Sequence, residues 1–284
     1  MSATTPAVSE PPQRRVPAAN GEAALAPTFV SVLGMRVDAT TYADAASRIL
    51  KWAPSAKSRY VCVGSVNNVM VARRDPAYRR LTNEADLVTP DGMPVVWALR
   101  WLGVPHATQV RGTNLMIEVL ERAVRAGIPV GLYGGNPAAL ASLVERLHSL
   151  WPDLDLAYVH SPPFRRLTAL EDEDIVGDIV ASGARIVFVG LGCPKQEEWM
   201  AAHRGRVPAV MIGVGAAFDF LGGTKKQAPV GMQRIGLEWL FRLLSEPRRL
   251  WRRYLLQNPV FMGLLALQVA RSRISPGQPR RYGG

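Results

Sequence analysis

The sequence predicts an α/β fold: a Rossmann-like, mainly parallel sheet with helices on both faces, followed by a basic, helical C-terminal appendage. Three observations carry this. Short apolar runs alternate with longer amphipathic stretches, the pattern of strand–helix–strand units joined by right-handed crossovers. Several of the apolar runs end in glycine. Charge is uneven: from Lys225 to the end there are 12 Lys+Arg and 2 Asp+Glu, a net of +10, which leaves +1 of the total +11 for the first 224 residues.

The elements follow in chain order. Residues 1–28, rich in Ala, Pro and Ser, lack a continuous apolar core and read as a disordered leader rather than a secretory signal. Strands are predicted at Phe29–Leu33, Tyr60–Gly64, Leu87–Thr89, Ile128–Tyr133, Leu154–Tyr158, Arg185–Leu191 and Ala209–Val214. Helical spacing marks Thr41–Trp52, Val95–Leu102, Asn114–Ala126, Pro137–Trp151 and Leu170–Ser182. These place one α/β domain at 29–229 and the appendage and tail at 230–284. The core is complete by Leu221, so a chain ending near Pro229 is expected to fold. With 48% apolar and 20% charged residues, the chain is neither disordered nor collagen-like. Two cysteines exclude a disulfide scaffold and fit a reducing compartment.

The strand ends share one design. Ile128–Tyr133 runs into Gly134-Gly135-Asn136-Pro137, where Asn136 suits an N-cap and Pro137 the first helical position. Arg185–Leu191 runs into Gly192-Cys193-Pro194-Lys195-Gln196-Glu197, and Ala209–Val214 into Gly215-Ala216-Ala217-Phe218-Asp219. In a parallel sheet these loops share one edge, the place where α/β folds bind ligands. Glycine at each alone signals a tight turn. Three together favour a phosphorylated ligand held by backbone N–H groups.

Among single motifs, Thr89-Pro90-Asp91-Gly92 is both a generic turn and a well-placed carboxylate at the same edge, where Asp91 could act as a general base. Gly213-Val214-Gly215 is half a dinucleotide fingerprint, lacking the third glycine and a following acidic residue. Asp172-Glu173-Asp174 has the spacing of a metal–nucleotide motif but falls in the first turn of a predicted helix, where acids complement the helix dipole. His106, His148, His160 and His203 are scattered, with no helical metal pair. Cys193 at a helix start reads as a small filler residue rather than a nucleophile.

The tail has its own pattern. Met232 to Leu244 shows helical spacing interrupted by Pro247. Arg248, Arg249, Arg252 and Arg253 then fall on one face of a predicted helix and Leu250, Trp251, Tyr254 and Leu255 on the other, which suits an anionic membrane interface. Asn258-Pro259 is expected to break that helix. Val260–Ala270 is apolar, but as a helix it reaches only about 17 Å, too short to span a bilayer. An ordinary helix pair packed on the core is the alternative. No recognised nucleic-acid motif accompanies the charge, so no nucleic-acid partner is expected.

Four ordered blocks carry a resemblance: Asn83-Glu84-Ala85-Asp86-Leu87-Val88-Thr89-Pro90-Asp91-Gly92-Met93-Pro94, Gly190-Leu191-Gly192-Cys193-Pro194-Lys195-Gln196-Glu197, Gly213-Val214-Gly215-Ala216-Ala217-Phe218-Asp219, and Gly236-Leu237-Glu238-Trp239-Leu240-Phe241-Arg242 with Glu246-Pro247. Together they resemble the WecG/TagA/CpsF glycosyltransferases, from about Val30 to Leu256. The resemblance implies inverting transfer of a sugar, N-acetylmannosamine-like or a related hexose or uronic acid, from a UDP-sugar donor. The acceptor would be a polyprenyl-diphosphate-linked sugar in cell-surface polysaccharide synthesis. It implies no metal cofactor, a peripheral position at the inner face of the cytoplasmic membrane, and self-association into a homo-oligomer.

By the same resemblance Asp91 is the base, Gln196 lines the nucleotide-sugar pocket, and Arg242 and Arg249 meet the diphosphate. Ser65, Asn67, Arg111, Gly134, Gly192, Lys195, Gly213, Gly215 and Asp219 complete the expected substrate-binding set. Val63-Gly64-Ser65 stands where teichoic-acid members have Thr-Pro-Asn, and Gln109 where an Arg is frequent. Two rival readings are an α/β nucleotide-binding oxidoreductase, which the incomplete glycine fingerprint disfavours, and a non-enzymatic basic adaptor, which leaves Asp91 and the glycine-edged loops without a role.

Overall fold

The computed structural model of the protein describes residues 29–229, 231–232 and 236–274; the expected leader at 1–28 lies outside them. Six strands form one parallel sheet: β3 (Arg59–Gly64), β4 (Leu87–Pro90), β5 (Val130–Gly134), β6 (Leu156–His160), β7 (Ile186–Gly190) and β8 (Val210–Gly213). Their spatial order is β4-β3-β8-β7-β5-β6. β3, β5, β7 and β8 are almost wholly buried, which is why they read as near-continuous runs rather than alternating ones. All seven expected strands are present, with β6 displaced two residues toward the C-terminus.

Two strands precede this sheet, the expected β1 (Phe29–Val32) and an eighth, β2 (Met35–Asp38), that the sequence did not show. β1 pairs antiparallel with β2 through a two-residue turn at Leu33 and Gly34, both at positive φ. Leucine there hides the turn from sequence reading, because hairpin signals rest on Asn-Gly or Asp-Gly.

Helices cover both faces. On one lie α1 (Tyr42–Trp52), α5 (Gly112–Ala126), α6 (Pro137–Leu150) and α9 (Ala217–Leu221). On the other lie α2 (Val66–Arg74), α3 (Pro76–Asn83), α4 (Met93–Trp101), α7 (Ala169–Ser182) and α8 (Lys195–Ala202), together with the β1–β2 hairpin. Neighbouring strands β3 and β8 thus send their helices to opposite faces, α2 to one and α9 to the other. That divergence opens a crevice at their C-terminal ends. Local chemistry fixes the helix starts as expected: Asn136 Oδ1 accepts the Ala139 N–H at 2.8 Å, with Pro137 in the first turn.

The appendage departs from expectation. α10 (Glu238–Ser245) and α11 (Pro247–Trp251) lead into a π-helical turn at Arg252–Gln257, and α12 (Asn258–Ile274) follows directly. Pro259 does not break the helix. It has no N–H to give to the residue four back, and it sits where the helix has just widened. The wider turn also rotates everything after it, so the expected division into an arginine face and an apolar face does not form. Leu250 is buried and Arg253 turns inward, while Trp251 and Leu255 stand exposed beside Arg248, Arg249 and Arg252.

α12 packs one face on the core. Phe261 and Leu265 are fully buried in the same core as α2, α4 and β1. Gln268 donates to the Ser31 carbonyl at 2.6 Å and accepts the Leu33 N–H at 2.9 Å, clasping the hairpin. A chain ending near Pro229 would leave this apolar surface uncovered, so the core is not complete by Leu221. No helix among the described residues is long and apolar enough to cross a membrane.

Candidate active site

β4 ends at Pro90, and the next residue, Asp91, donates its backbone N–H to the Gly64 carbonyl at 2.9 Å. This ties the β4 end to the β3 end and aims the Asp91 side chain into the crevice. Gly92, at φ +89, then turns the chain into α4. Two adjoining hollows, open at their mouths, meet at this point. They measure about 640 and 470 Å³ and share Asp91, Glu238 and Arg242 as a common wall.

The larger hollow is lined by Ser65, Gln109, Met93, Pro94, Trp239, Tyr254, Asn258 and Arg253. It is roofed by the appendage and presents aromatic and apolar surface with one added cation. The smaller is lined by Arg111, Gly112, Thr113, Asn114, Ala216, Ala217, Phe220 and Gln227. It faces the start of α5, whose N-cap residue Arg111 supplies no side-chain cap. The first-turn N–H groups of a 15-residue helix therefore open onto it. Gly112 lets the helix start pack close to β8's end, since a Cβ would come within 3.1 Å of the Val214 carbonyl.

Charge in the crevice is arranged around Asp91. Burial raises the Asp91 carboxyl from the ordinary 3.8 to about 6; Glu238 adds to the rise, and Arg242, Arg111 and Arg253 oppose it. Its carboxylate accepts no hydrogen bond among the described residues. Glu238 pairs with Arg111 at 3.4 Å. Arg242 lies over the Phe220 ring, 5.5 Å from its centroid. Arg253 donates to Ser65 Oγ at 3.3 Å. Burial holds its pKa below the usual guanidinium value, and the neighbouring Arg242 adds to that.

The structure thus brings together Ser65, Asp91, Arg111 and Arg242 of the expected set. Others are scaffold. Gln196 is buried and does not line either hollow: its Oε1 accepts the N–H groups of Gly192 at 3.1 Å and Gly215 at 3.0 Å, and its Nε2 donates to Glu197 at 2.8 Å. Two N–H groups expected to hold phosphate are therefore spent on joining the β7 and β8 loops. Gly213 gives Gln196 room, with a Cβ there only 3.0 Å from Nε2. Gly134, at φ +119, packs against the Gly190 backbone, where a Cβ would sit at 2.7 Å. Asn67 donates to Cys193 Sγ at 3.1 Å and accepts from Gln257 at 3.4 Å, linking α2 to the appendage.

Three expected residues lie elsewhere. Lys195 is exposed at the start of α8. Asp219 pairs with Lys225 at 2.8 Å. Arg249 is exposed and pairs with Glu246. Asp172 of the D-x-D run is engaged by His203 at 2.9 Å and Arg206 at 2.6 Å.

Sequence reasoning missed Arg253 and Glu238 as crevice residues, and Glu197 as a buried support. Arg253 lay within the arginine cluster, but the π turn changed its direction. Glu238 and Glu197 both sit inside motif blocks as charged residues among apolar and glycine neighbours, which is a visible signal. Glu197 accepts from Asn68 at 3.0 Å as well as from Gln196, while its second oxygen is buried without a partner among the described residues. Burial pushes its carboxyl up to about 7 against those hydrogen bonds.

Comparison with known proteins fits this geometry. The Glycosyl transferase WecG/TagA/CpsF family model matches residues 30–275. An N-acetylglucosaminyldiphosphoundecaprenol N-acetyl-beta-D-mannosaminyltransferase of Staphylococcus aureus is 31% identical over 240 residues, covering 84% of this chain and 92% of that protein. The enzyme of the same name from Bacillus spizizenii is 33% identical over 185 residues, covering 65% and 70%.

Proposed function

This chain belongs to the WecG/TagA/CpsF glycosyltransferase family, and from that premise we propose that it moves an N-acetylmannosamine-like sugar from a UDP-sugar to a polyprenyl-diphosphate-linked acceptor sugar, with inversion at the anomeric carbon. The observation that supports it most is Asp91 at the meeting point of two hollows, surrounded by Arg111, Arg242 and Arg253.

The smaller hollow takes the donor. Its diphosphate meets the α5 N-terminus, Arg111 and Arg242, where helix dipole and guanidinium charge favour an anion. The larger hollow takes the acceptor. Met93, Pro94, Trp239 and Tyr254 give apolar surface beside Arg253, which suits a sugar joined to a lipid diphosphate.

In the reaction, the acceptor hydroxyl oxygen attacks the anomeric carbon as Asp91 takes its proton. The bond from that carbon to the UDP oxygen breaks on the opposite side, and the electron pair leaves with UDP. One displacement inverts the centre. Arg111, Arg242 and the α5 N–H groups meet the charge that grows on the leaving diphosphate. A base with a pKa of about 6 is ionised at neutral pH, yet basic enough to receive a proton in the transition state. The exposed Trp251, Leu255 and Leu256 beside Arg248, Arg249 and Arg252 support a peripheral seat at an anionic, cytoplasm-facing membrane surface, where such an acceptor lies.

The test is a screen of UDP-sugars against synthetic lipid-diphosphate sugars, with products read by mass spectrometry and the new linkage by NMR. A product of inverted anomeric configuration is expected. Retention of configuration, or turnover without a nucleotide sugar, refutes the reading.

A further inference from the structure

Glu238 opens the first turn of α10, the point at which the appendage meets the α/β domain. It lines both hollows, as does Asp91. Its Oε2 lies 3.4 Å from the Arg111 guanidinium, which belongs to the domain and precedes α5. Side chains of both partners are partly buried, so the pair is screened less than a surface ion pair. One carboxylate on the appendage thus shares both hollows with the base and pairs with a cation of the donor hollow.

We propose that Glu238 is a positioning residue for the transfer reaction: it couples the seating of the appendage over the domain to the readiness of Asp91 to take a proton. This rests on the reading of Asp91 as the base. Four charged groups act on Asp91 from the elements around it: Glu238 and Arg242 from α10, Arg111 from the start of α5, and Arg253 from the π turn. Three are cations that favour the ionised carboxylate. Glu238 alone among them opposes ionisation, adding to burial. Without it, the cations would hold Asp91 as a weaker base, ionised but reluctant to accept the acceptor's proton.

A consequence follows for the order of events. With α10 lifted away, Asp91 loses the burial that the roof provides and both α10 charges, Glu238 and the opposing Arg242; burial and Glu238 outweigh Arg242, so the carboxylate becomes the weaker base. With α10 seated, Asp91 becomes the stronger base that the reaction needs. The appendage and the chemistry are thereby linked, and Arg111, the pairing partner of Glu238, sets where the one carboxylate that favours protonation sits.

The experiment compares Glu238→Gln, Glu238→Asp and wild type in two readouts. The first is the carboxyl titration of Asp91 by ¹³C NMR, assigned by loss of the signal in Asp91→Asn. It needs no substrate. The second is the pH dependence of kcat/KM for transfer, whose acid limb reports the base of the free enzyme. In Glu238→Gln both midpoints should fall, by on the order of one pH unit, and the plateau rate should fall as well. Glu238→Asp, which keeps the charge, should recover much of the wild-type midpoint. A Gln variant whose Asp91 titrates as in wild type overturns the proposal, whatever its activity. An unmoved NMR midpoint with lost activity would make Glu238 a structural support only. A shifted NMR midpoint with an acid limb that stays in place would instead remove Asp91 from the role of base.

Discussion

Phe261→Ala tests whether the C-terminal helix is part of the core or an attachment to it. Phe261 is fully buried, against α2, α4 and the hairpin side of the sheet. A buried phenylalanine removes roughly 150–250 Å² from water, and at about 25 cal/mol per Å² that is some 4–6 kcal/mol, an upper bound. Alanine keeps part of that burial, and measured substitutions of this kind cost about 3–5 kcal/mol. Set against a typical total of about 5–15 kcal/mol, this is a large share. Leu267 is the control, because it lies on the same helix at 57% exposure; its alanine variant should change stability by less than about 0.5 kcal/mol. The assay is urea unfolding followed by circular dichroism, with m-values compared. Because Asn258 at the head of α12 lines the larger hollow, transfer activity should fall in the Phe261 variant as well. If Phe261→Ala and Leu267→Ala are equally mild, α12 is not core and the chain ending near Pro229 would fold after all.

Other expectations follow from the same contacts. Asp91→Asn should lower transfer by about 10²–10⁴-fold while UDP affinity, measured by calorimetry, stays near wild type; normal turnover would remove Asp91 from the mechanism. In wild type kcat/KM should fall tenfold per pH unit well below about 6, because the base must be unprotonated. Gln196→Ala leaves the N–H groups of Gly192 and Gly215 without their acceptor, a loss of about 1–3 kcal/mol, and should weaken UDP binding in the same calorimetric assay. Burial alone would raise Asp172, but Arg206 and His203 bring it below 3.8. Its contribution is therefore present above the unfolded value and lost as pH falls through the lower folded one. Asp172→Asn should cost about 1 kcal/mol near neutrality, and the gap to wild type should close in strong acid, read by thermal unfolding across pH.

The contrast between Asp91 and Arg253 shows which parts of the site the sequence carries. Asp91 is placed by residues beside it: a short apolar strand, Pro90 before it and Gly92 after it. The parallel sheet is legible for a related reason, since strands buried on both faces write themselves as unbroken apolar runs. The glycine-edged loops were visible too, but not the use of their N–H groups. Gly192 and Gly215 face a glutamine that fills the space between them, and that pairing depends on how far apart β7 and β8 lie. Arg253 is set by a widened helical turn, and a simple 100° period gives it the wrong direction from Arg252 onward. α12 reads as a short apolar helix of either destination, membrane or core. What decides between them is Gln268 meeting the hairpin at Ser31 and Leu33, more than 200 residues away in the chain. The half of the crevice built by local turns is therefore written in the motifs. The half supplied by the appendage depends on long-range packing, and Glu238, a lone charge in its motif block, takes its place beside Arg111 only once the two halves have been brought together.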